Sequence, residues 1–216
     1  MRDARHSTMP RVFRVRGDAT DAAALTVAAT ILRGGGLVAF PTETVYGLGA
    51  DATNPQSIVR LNQVKGRPPD KPYSLHVHSP EEVARFVASI PPLAQRLMDR
   101  FWPGPLTIIM PAPDGATVGF RVPDHPVARA FLRACGVPVA APSANRSGAL
   151  PPTDAQEVLA ALDGDVDCLL DGGPTRMGRE STVVEVVDGT VVVRREGAIS
   201  NETLLAIMDP PPLPYR

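Results

Sequence analysis

Apolar and polar positions along this chain switch repeatedly between a helical and a two-residue period. Residues 20–33 place Leu25, Ala28, Ala29 and Leu32 on one face, with Thr20 or Asp21 as a cap and Gly34–Gly36 as a stop. Leu37–Phe40 is then a short continuous apolar run, which predicts a buried strand that Pro41 ends. The stretch Thr42-Glu43-Thr44-Val45-Tyr46-Gly47-Leu48-Gly49 follows, and Tyr46–Gly49 is read as a turn. Asn54-Pro55 opens a helix carrying Ile58, Leu61 and Val64 as far as Gly66.

The same two periods predict a strand over Tyr73–Val77, then a helix from Ser79-Pro80 with core face Val83, Phe86, Val87 and Ile90. A helix starts at Pro91-Pro92 and reaches Phe101 and Trp102. Strands follow at Leu106–Met110 and Thr117–Val122, then a helix at Pro126–Ala134 and a strand at Val137–Ala141. A helix opens at Thr153-Asp154-Ala155 and ends at Gly164, and Asp167–Leu170 is a strand. Ser181–Val187 and Thr190–Arg195 flank Asp188-Gly189 as a hairpin, and Ser200 caps a last helix with Leu204, Leu205 and Met208. Helices and strands alternate, so the class is α/β: one domain, a twisted mixed sheet with flanking helices over residues 20–208. Residues 1–19 are read as a loose basic extension with a first strand starting at Arg11, Met1 or Met9 being the start, and 209–216 as a proline-rich tail.

Composition narrows the function classes. The 216 residues carry a net charge of -1 and only 5% aromatics, so neither a bulk cationic field nor a set of base-stacking platforms marks a nucleic-acid binder. Cys135 and Cys168 both sit in apolar segments and read as buried thiols; His6, His76, His78 and His125 form no metal-binding pattern. No apolar run reaches the length of a membrane span, and the arginine-rich start lacks the apolar region of a secretory signal, so a cytoplasmic protein is expected.

Candidate chemistry sits at predicted element ends. Lys65, Arg67 and Lys71 lie at a helix exit stiffened by prolines, an array suited to a polyphosphate or simply to a helix C-terminus. Ser143 and Asn145 follow a strand and offer short donors and acceptors, or a turn cap. The run Gly172–Thr182 imitates a P-loop but has Arg179 where lysine is required, so that reading fails; what remains is a glycine-rich loop delivering Ser181 and Thr182. Arg121 and Arg195 each end a strand, where plain surface charge is the alternative. No Ser-His-Asp order, acid pair or reactive-cysteine motif appears. The inventory suits holding an anionic, hydroxylated ligand and stabilising charge rather than covalent catalysis.

The blocks Phe40-Pro-Thr-Glu-Thr-Val-Tyr-Gly-Leu-Gly49, Lys65-x-Arg67, Trp102-Pro-Gly-Pro-Leu106, Ala141-Pro-Ser-Ala-Asn145, Glu180-Ser-Thr182 and Arg195-x-Gly197 resemble the YrdC-like family of threonylcarbamoyl-AMP synthases, in its short form, from about residue 20 to 208. The resemblance implies a YrdC-like fold around one deep basic cavity. It also implies formation of threonylcarbamoyl-AMP and pyrophosphate from L-threonine, bicarbonate and ATP, for tRNA threonylcarbamoyladenosine modification next to the anticodon. By resemblance, Lys65 and Arg67 carry the catalysis. Thr44, His76, Arg121, Ala141 and Ser181 bind L-threonine. Arg67, Lys71, Thr117, Ser143, Asn145, Pro151 and Arg195 bind ATP. Magnesium is expected with ATP, no protein-bound metal or organic cofactor is expected, and tRNA and a downstream threonylcarbamoyl-transferase complex are the expected partners. Lys71 stands where asparagine is common in the family, which adds a charge near the phosphates. An RNA-binding module with a basic cavity is the alternative function.

Overall fold

The computed structural model describes residues 9–68, 71–162 and 164–208. Sixteen elements follow in chain order. They are β1 (Arg11–Arg14), α1 (Ala22–Arg33), β2 (Val38–Phe40), β3 (Gly47–Asp51), α2 (Pro55–Lys65), β4 (Leu75–His76), α3 (Pro92–Phe101) and β5 (Leu106–Pro111), then β6 (Thr117–Arg121), α4 (Pro126–Cys135), β7 (Val139–Ala140), α5 (Ala155–Ala161), β8 (Cys168–Asp171), β9 (Thr182–Val187), β10 (Thr190–Arg195) and α6 (Asn201–Met208). Short 3₁₀ turns lie at Ala19–Asp21 and Pro80–Arg85. The strands form one mixed sheet in the order β1-β8-β2-β3-β7-β4-β6-β5-β9-β10.

Strand periodicity sorts side chains between layers. Val38 and Phe40 of β2, with Cys168 and Leu170 of β8, pack under α1 and α4, which supply Leu25, Ala28, Leu32, Phe131 and Cys135. Leu37, Ala39 and Leu169 point the other way, into a second core with Leu61 and Val64 of α2 and Val158 of α5. A third core is built by α3 and by Leu106, Ile108, Met110, Phe120 and Val184. Their alternates Thr107, Ile109, Arg121 and Val183 on β5, β6 and β9, with Ser181 just before β9, face away from α3 into a cavity. The polar alternation of these strands thus supplies one wall of the site.

The structure revises several expected boundaries. Residues 46–49 are not a turn: Gly47–Asp51 is strand β3, buried throughout and antiparallel to β2, so only Pro41–Tyr46 forms the connection. Gly47 and Gly49 escape strand patterning because the Phe40 ring lies across both; a Cβ at either would sit 3.2 Å from ring carbons. The helix expected after Ser79 is only a 3₁₀ turn over Pro80–Arg85, with Pro91-Pro92 following close behind. The strands expected at Tyr73–Val77 and Val137–Ala141 shrink to Leu75–His76 and Val139–Ala140. Single backbone bonds continue past these short ladders, from Val77 N–H to the Arg121 carbonyl and from Ala141 N–H to the Ser74 carbonyl, and Tyr73, Ser74 and Ala141 line the cavity. In α6, Leu204 is buried but Leu205 is exposed. The 1–8 extension, the 209–216 tail and the Met208 side chain lie outside the described residues.

The cap expected at Thr20 or Asp21 is not made on α1: Asp21 turns back to accept from the Arg16, Gly17 and Asp18 N–H groups, and Asp18 caps the preceding 3₁₀ turn. Other caps match their residues. Asn54 Oδ1 accepts from Gln56 and Ser57 N–H groups, and Gly66 ends α2 in the left-handed region. The β9–β10 turn places Asp188 and Gly189 at φ 48° and 73°. Both cysteines are free and buried; burial raises the thiol of Cys135 to about 12 and that of Cys168 to about 11, which leaves them unreactive thiols.

Candidate active site

A cavity of about 640 Å³ opens beside the β2–β3 connection. The strand wall is His76, Thr107, Ile109, Arg121, Ser181 and Val183; the opposite wall is the segment from Ala141 to Pro151; Arg67, Lys71 and Arg195 stand at the rim. Five cations (Lys65, Arg67, Lys71, Arg121 and Arg195) line it against one carboxylate, Glu180, among the described residues. Such an imbalance favours an anionic ligand.

Arg121 closes the inner end. It ends β6, and parallel pairing with β4 sets it beside His76. Its Nη2 donates to Glu43 Oε1 at 2.8 Å and to Thr44 Oγ1 at 2.8 Å, and its Nε donates to the Gly104 carbonyl at 3.2 Å. His76 is buried, and both that burial and the neighbouring guanidinium hold its imidazole well below its ordinary pKa, so it is neutral at pH 7. Its Nδ1 has no partner among the described residues.

Hydroxyl directions in the β2–β3 connection can be assigned from donor counting. Thr42 Oγ1 donates its single proton to the Val45 carbonyl at 2.7 Å. In its 2.9 Å contact with Thr44 Oγ1 it must therefore accept, and Thr44 donates. Protons thus run Arg121 to Thr44 to Thr42 to the backbone. Thr44 is fully buried and stands outside the cavity lining, behind Arg121. Its hydroxyl accepts from Arg121 and donates to Thr42, so in this structure Thr44 meets the cavity through Arg121.

Lys65, the last residue of α2, is buried. Its ammonium donates to the carbonyl of Ser143 at 2.6 Å, to the carbonyl of Asn145, and to Asn145 Oδ1 at 3.1 Å. All three protons are spent on the Pro142–Asn145 segment, so Lys65 holds that wall in shape. Burial pulls its pKa down to about 8; Glu180 opposes this and Arg67 adds to it. Arg67 lies over the Tyr73 ring at 4.6 Å and donates to the Pro72 carbonyl at 2.8 Å. Arg195 spans the far side, with Nη2 on the Ser181 carbonyl at 2.9 Å and Nη1 on Glu180 Oε1 at 3.1 Å. Ser181 Oγ bonds Thr107 Oγ1 at 3.0 Å.

Of the residues expected at the site, Lys65, Arg67, Lys71, His76, Arg121, Ala141, Ser143, Asn145, Pro151, Ser181 and Arg195 line this one cavity. Thr117 does not: it starts β6, exposed, four residues along the strand from Arg121. The strand rises about 3.3 Å per residue, so Thr117 stands further along β6 than Arg121, outside the lining. Sequence reasoning missed Thr42, Tyr46, Ser74 and Glu180, and gave Glu43 no role beyond a hydrogen bond that orients its neighbours. Glu43 was visible only as an acid inside an otherwise apolar and hydroxyl-bearing run. Tyr46 was assigned to a turn, yet its hydroxyl donates to the Gly173 carbonyl at 2.8 Å and ties the glycine loop to this wall.

The family model Sua5/YciO/YrdC, described as telomere recombination, matches residues 30–197. The chain belongs to the Sua5/YciO/YrdC family. A protein named threonylcarbamoyl-AMP synthase from Bacillus subtilis is 45% identical over 193 residues, covering 85% of this chain and 56% of its own length. Its counterpart from Pyrococcus abyssi is 41% identical, covering 83% and 56%. The chain thus spans little more than half of these relatives. A putative threonylcarbamoyl-AMP synthase from Mycobacterium tuberculosis is 38% identical, with 82% and 85% covered. Among solved structures, P. abyssi Sua5 complexed with L-threonine superposes at TM-score 0.85 with 38% identity, over 93% of this chain and 61% of that one. E. coli YciO superposes at 0.82 with 26% identity, over 91% and 100%.

Proposed function

We propose that the protein is an L-threonylcarbamoyladenylate synthase, a nucleotidyltransferase that forms threonylcarbamoyl-AMP and pyrophosphate from L-threonine, bicarbonate and ATP. The observation that carries the reading is the cavity itself: a fold shared with a relative complexed with L-threonine encloses five cations arranged from a buried inner end to an open rim. The inner end takes the amino acid. Arg121 pairs with its carboxylate, while the neutral His76 and the Ser181 hydroxyl face its polar groups. The rim takes the nucleotide, with Arg67, Lys71 and Arg195 on the phosphates and Ser143 and Asn145 on the adjoining wall.

The chemistry needs no protein nucleophile. The amine of threonine adds to carbon dioxide derived from bicarbonate, losing a proton to give a carbamate. A carbamate oxygen then attacks the α-phosphorus, the bond to the bridging oxygen breaks, and pyrophosphate leaves with that electron pair. Negative charge accumulates at each step, so fixed cations and correct approach account for the acceleration. Magnesium is read as part of the MgATP substrate, with Glu180 the one carboxylate among the described lining residues able to approach it. The product would supply tRNA threonylcarbamoyladenosine modification through a downstream transferase complex in the cytoplasm. A ¹³C label supplied as bicarbonate should appear in a threonine- and AMP-containing product by mass spectrometry. Unlabelled product, or none, contradicts the proposal. Tight, steeply salt-sensitive tRNA binding without nucleotide would instead favour an RNA-binding module.

A further inference from the structure

Glu43 is fully buried, carries a carboxylate, and reaches no part of the cavity surface. One oxygen accepts from Arg121 Nη2 at 2.8 Å and the other from the backbone N–H of Asp124 at 3.1 Å. Its own carbonyl accepts from Met177 N–H at 2.9 Å, so the residue is fixed at both ends. A carboxylate in such a place is kept for what it holds. With Thr44 and the Gly104 carbonyl, it occupies Nη2 and Nε of Arg121. Among the described residues, only Nη1 of that guanidinium lacks a protein acceptor, and Arg121 lines the cavity.

We infer that Glu43 is a positioning residue: it locks the Arg121 guanidinium so that Nη1 alone is presented to the carboxylate of the amino-acid substrate. This rests on the proposed function for the identity of the ligand, but the lock itself is a property of the unliganded protein. A lysine in place of Arg121 could not be held this way, because an ammonium has no planar fork to divide between a buried partner and a ligand. A glutamine in place of Glu43 loses the charge, and its amide must turn a donor toward either Asp124 N–H or Arg121.

The test uses the full chain with ¹⁵N-labelled arginine, wild type and Glu43→Gln, with Arg121→Lys to assign the resonance. In the wild type, restricted rotation should give Arg121 resolved Nη signals that shift when L-threonine is added. In Glu43→Gln those signals should collapse, the Kd for L-threonine should rise at least about tenfold and the Kd for ATP by less than about threefold. Equal weakening of both ligands, or a threonine affinity within about twofold of wild type, overturns the inference. If Glu43→Gln does not fold, Glu43→Asp, which keeps the charge and shortens the reach, must still weaken threonine selectively or the inference fails. A wild-type Arg121 signal that ignores L-threonine would contradict the proposed substrate. The lock would then stand or fall on whether rotation is freed in the variant.

Discussion

The two ends of the cavity are built on different principles. At the inner end, Glu43, Thr44 and Arg121 are buried and their hydrogen bonds run in a fixed direction into the backbone. At the rim, Arg67, Lys71 and Arg195 are long, partly solvated side chains that keep only part of their bonding capacity for the protein. The first arrangement suits reading a small amino acid, since an analogue lacking a group would leave a preformed partner unpaired. The second suits a polyphosphate, whose charge is spread and whose position shifts as pyrophosphate departs. The same residue type, arginine, thus serves as a rigid reader at position 121 and as a compliant counterion at position 195.

Breaking the inner end should have the largest effect. Arg121→Ala strands the buried Glu43 carboxylate and should cost about 3–5 kcal/mol in denaturant unfolding. Arg195→Ala removes a rim pair with Glu180 whose side chains are 44% and 33% exposed, and should cost under about 1 kcal/mol. Equal costs would erase the contrast between the two ends. Next, Gly197→Ala should cost about 1–3 kcal/mol and depress turnover, because a Cβ there runs into the Glu180 carbonyl and the Ser181 backbone beneath Arg195. Normal stability in that variant would show that the rim segment yields more than its close packing indicates.

The pH predictions are smaller and opposite in direction. Lys65 should lose its proton with a midpoint of about 8, freeing the Ser143–Asn145 segment, so turnover should fall above that pH. Lys65→Arg, if it supports turnover, should push that limb upward, since arginine stays protonated. An unchanged limb assigns it to another group. For His76 the folded pKa lies below the unfolded value of about 6.5. The unfolded chain therefore binds more protons in that window, and stability should be full above pH 6.5 and decline as pH falls beneath it. His76→Asn should flatten the Tm slope between pH 6.5 and 5, with His125, also lowered by burial, contributing what remains. Smallest of all, Arg67→Lys should raise the ATP requirement several-fold through loss of the Tyr73 stacking, with Tm nearly unchanged.

Much of this site was legible in the sequence, and the exceptions have physical causes. Helix caps at Asn54 and Gly66, the Asp188-Gly189 hairpin and the strand at Leu106–Met110 follow local rules, and they appear as expected. Strand β3 was hidden because its glycines answer to the Phe40 ring, a contact made across the sheet rather than along the chain. Lys65 and Thr44 stood out in the sequence by residue type and position, but what each does in the fold depends on who accepts its protons. Those acceptors, Ser143, Asn145 and Thr42, are fixed only once the fold is formed. Glu43 carried no pattern of its own; its significance comes from a strand end 78 positions away.

The central claim is that the cavity joins an amino acid at its inner end to a nucleotide at its rim. Pyrophosphate release, measured with ATP and bicarbonate in the presence and absence of L-threonine, tests it most directly. The account predicts release that depends on L-threonine and is lost in Arg121→Ala. Release at the same rate without L-threonine, or none with all three substrates present, would contradict it.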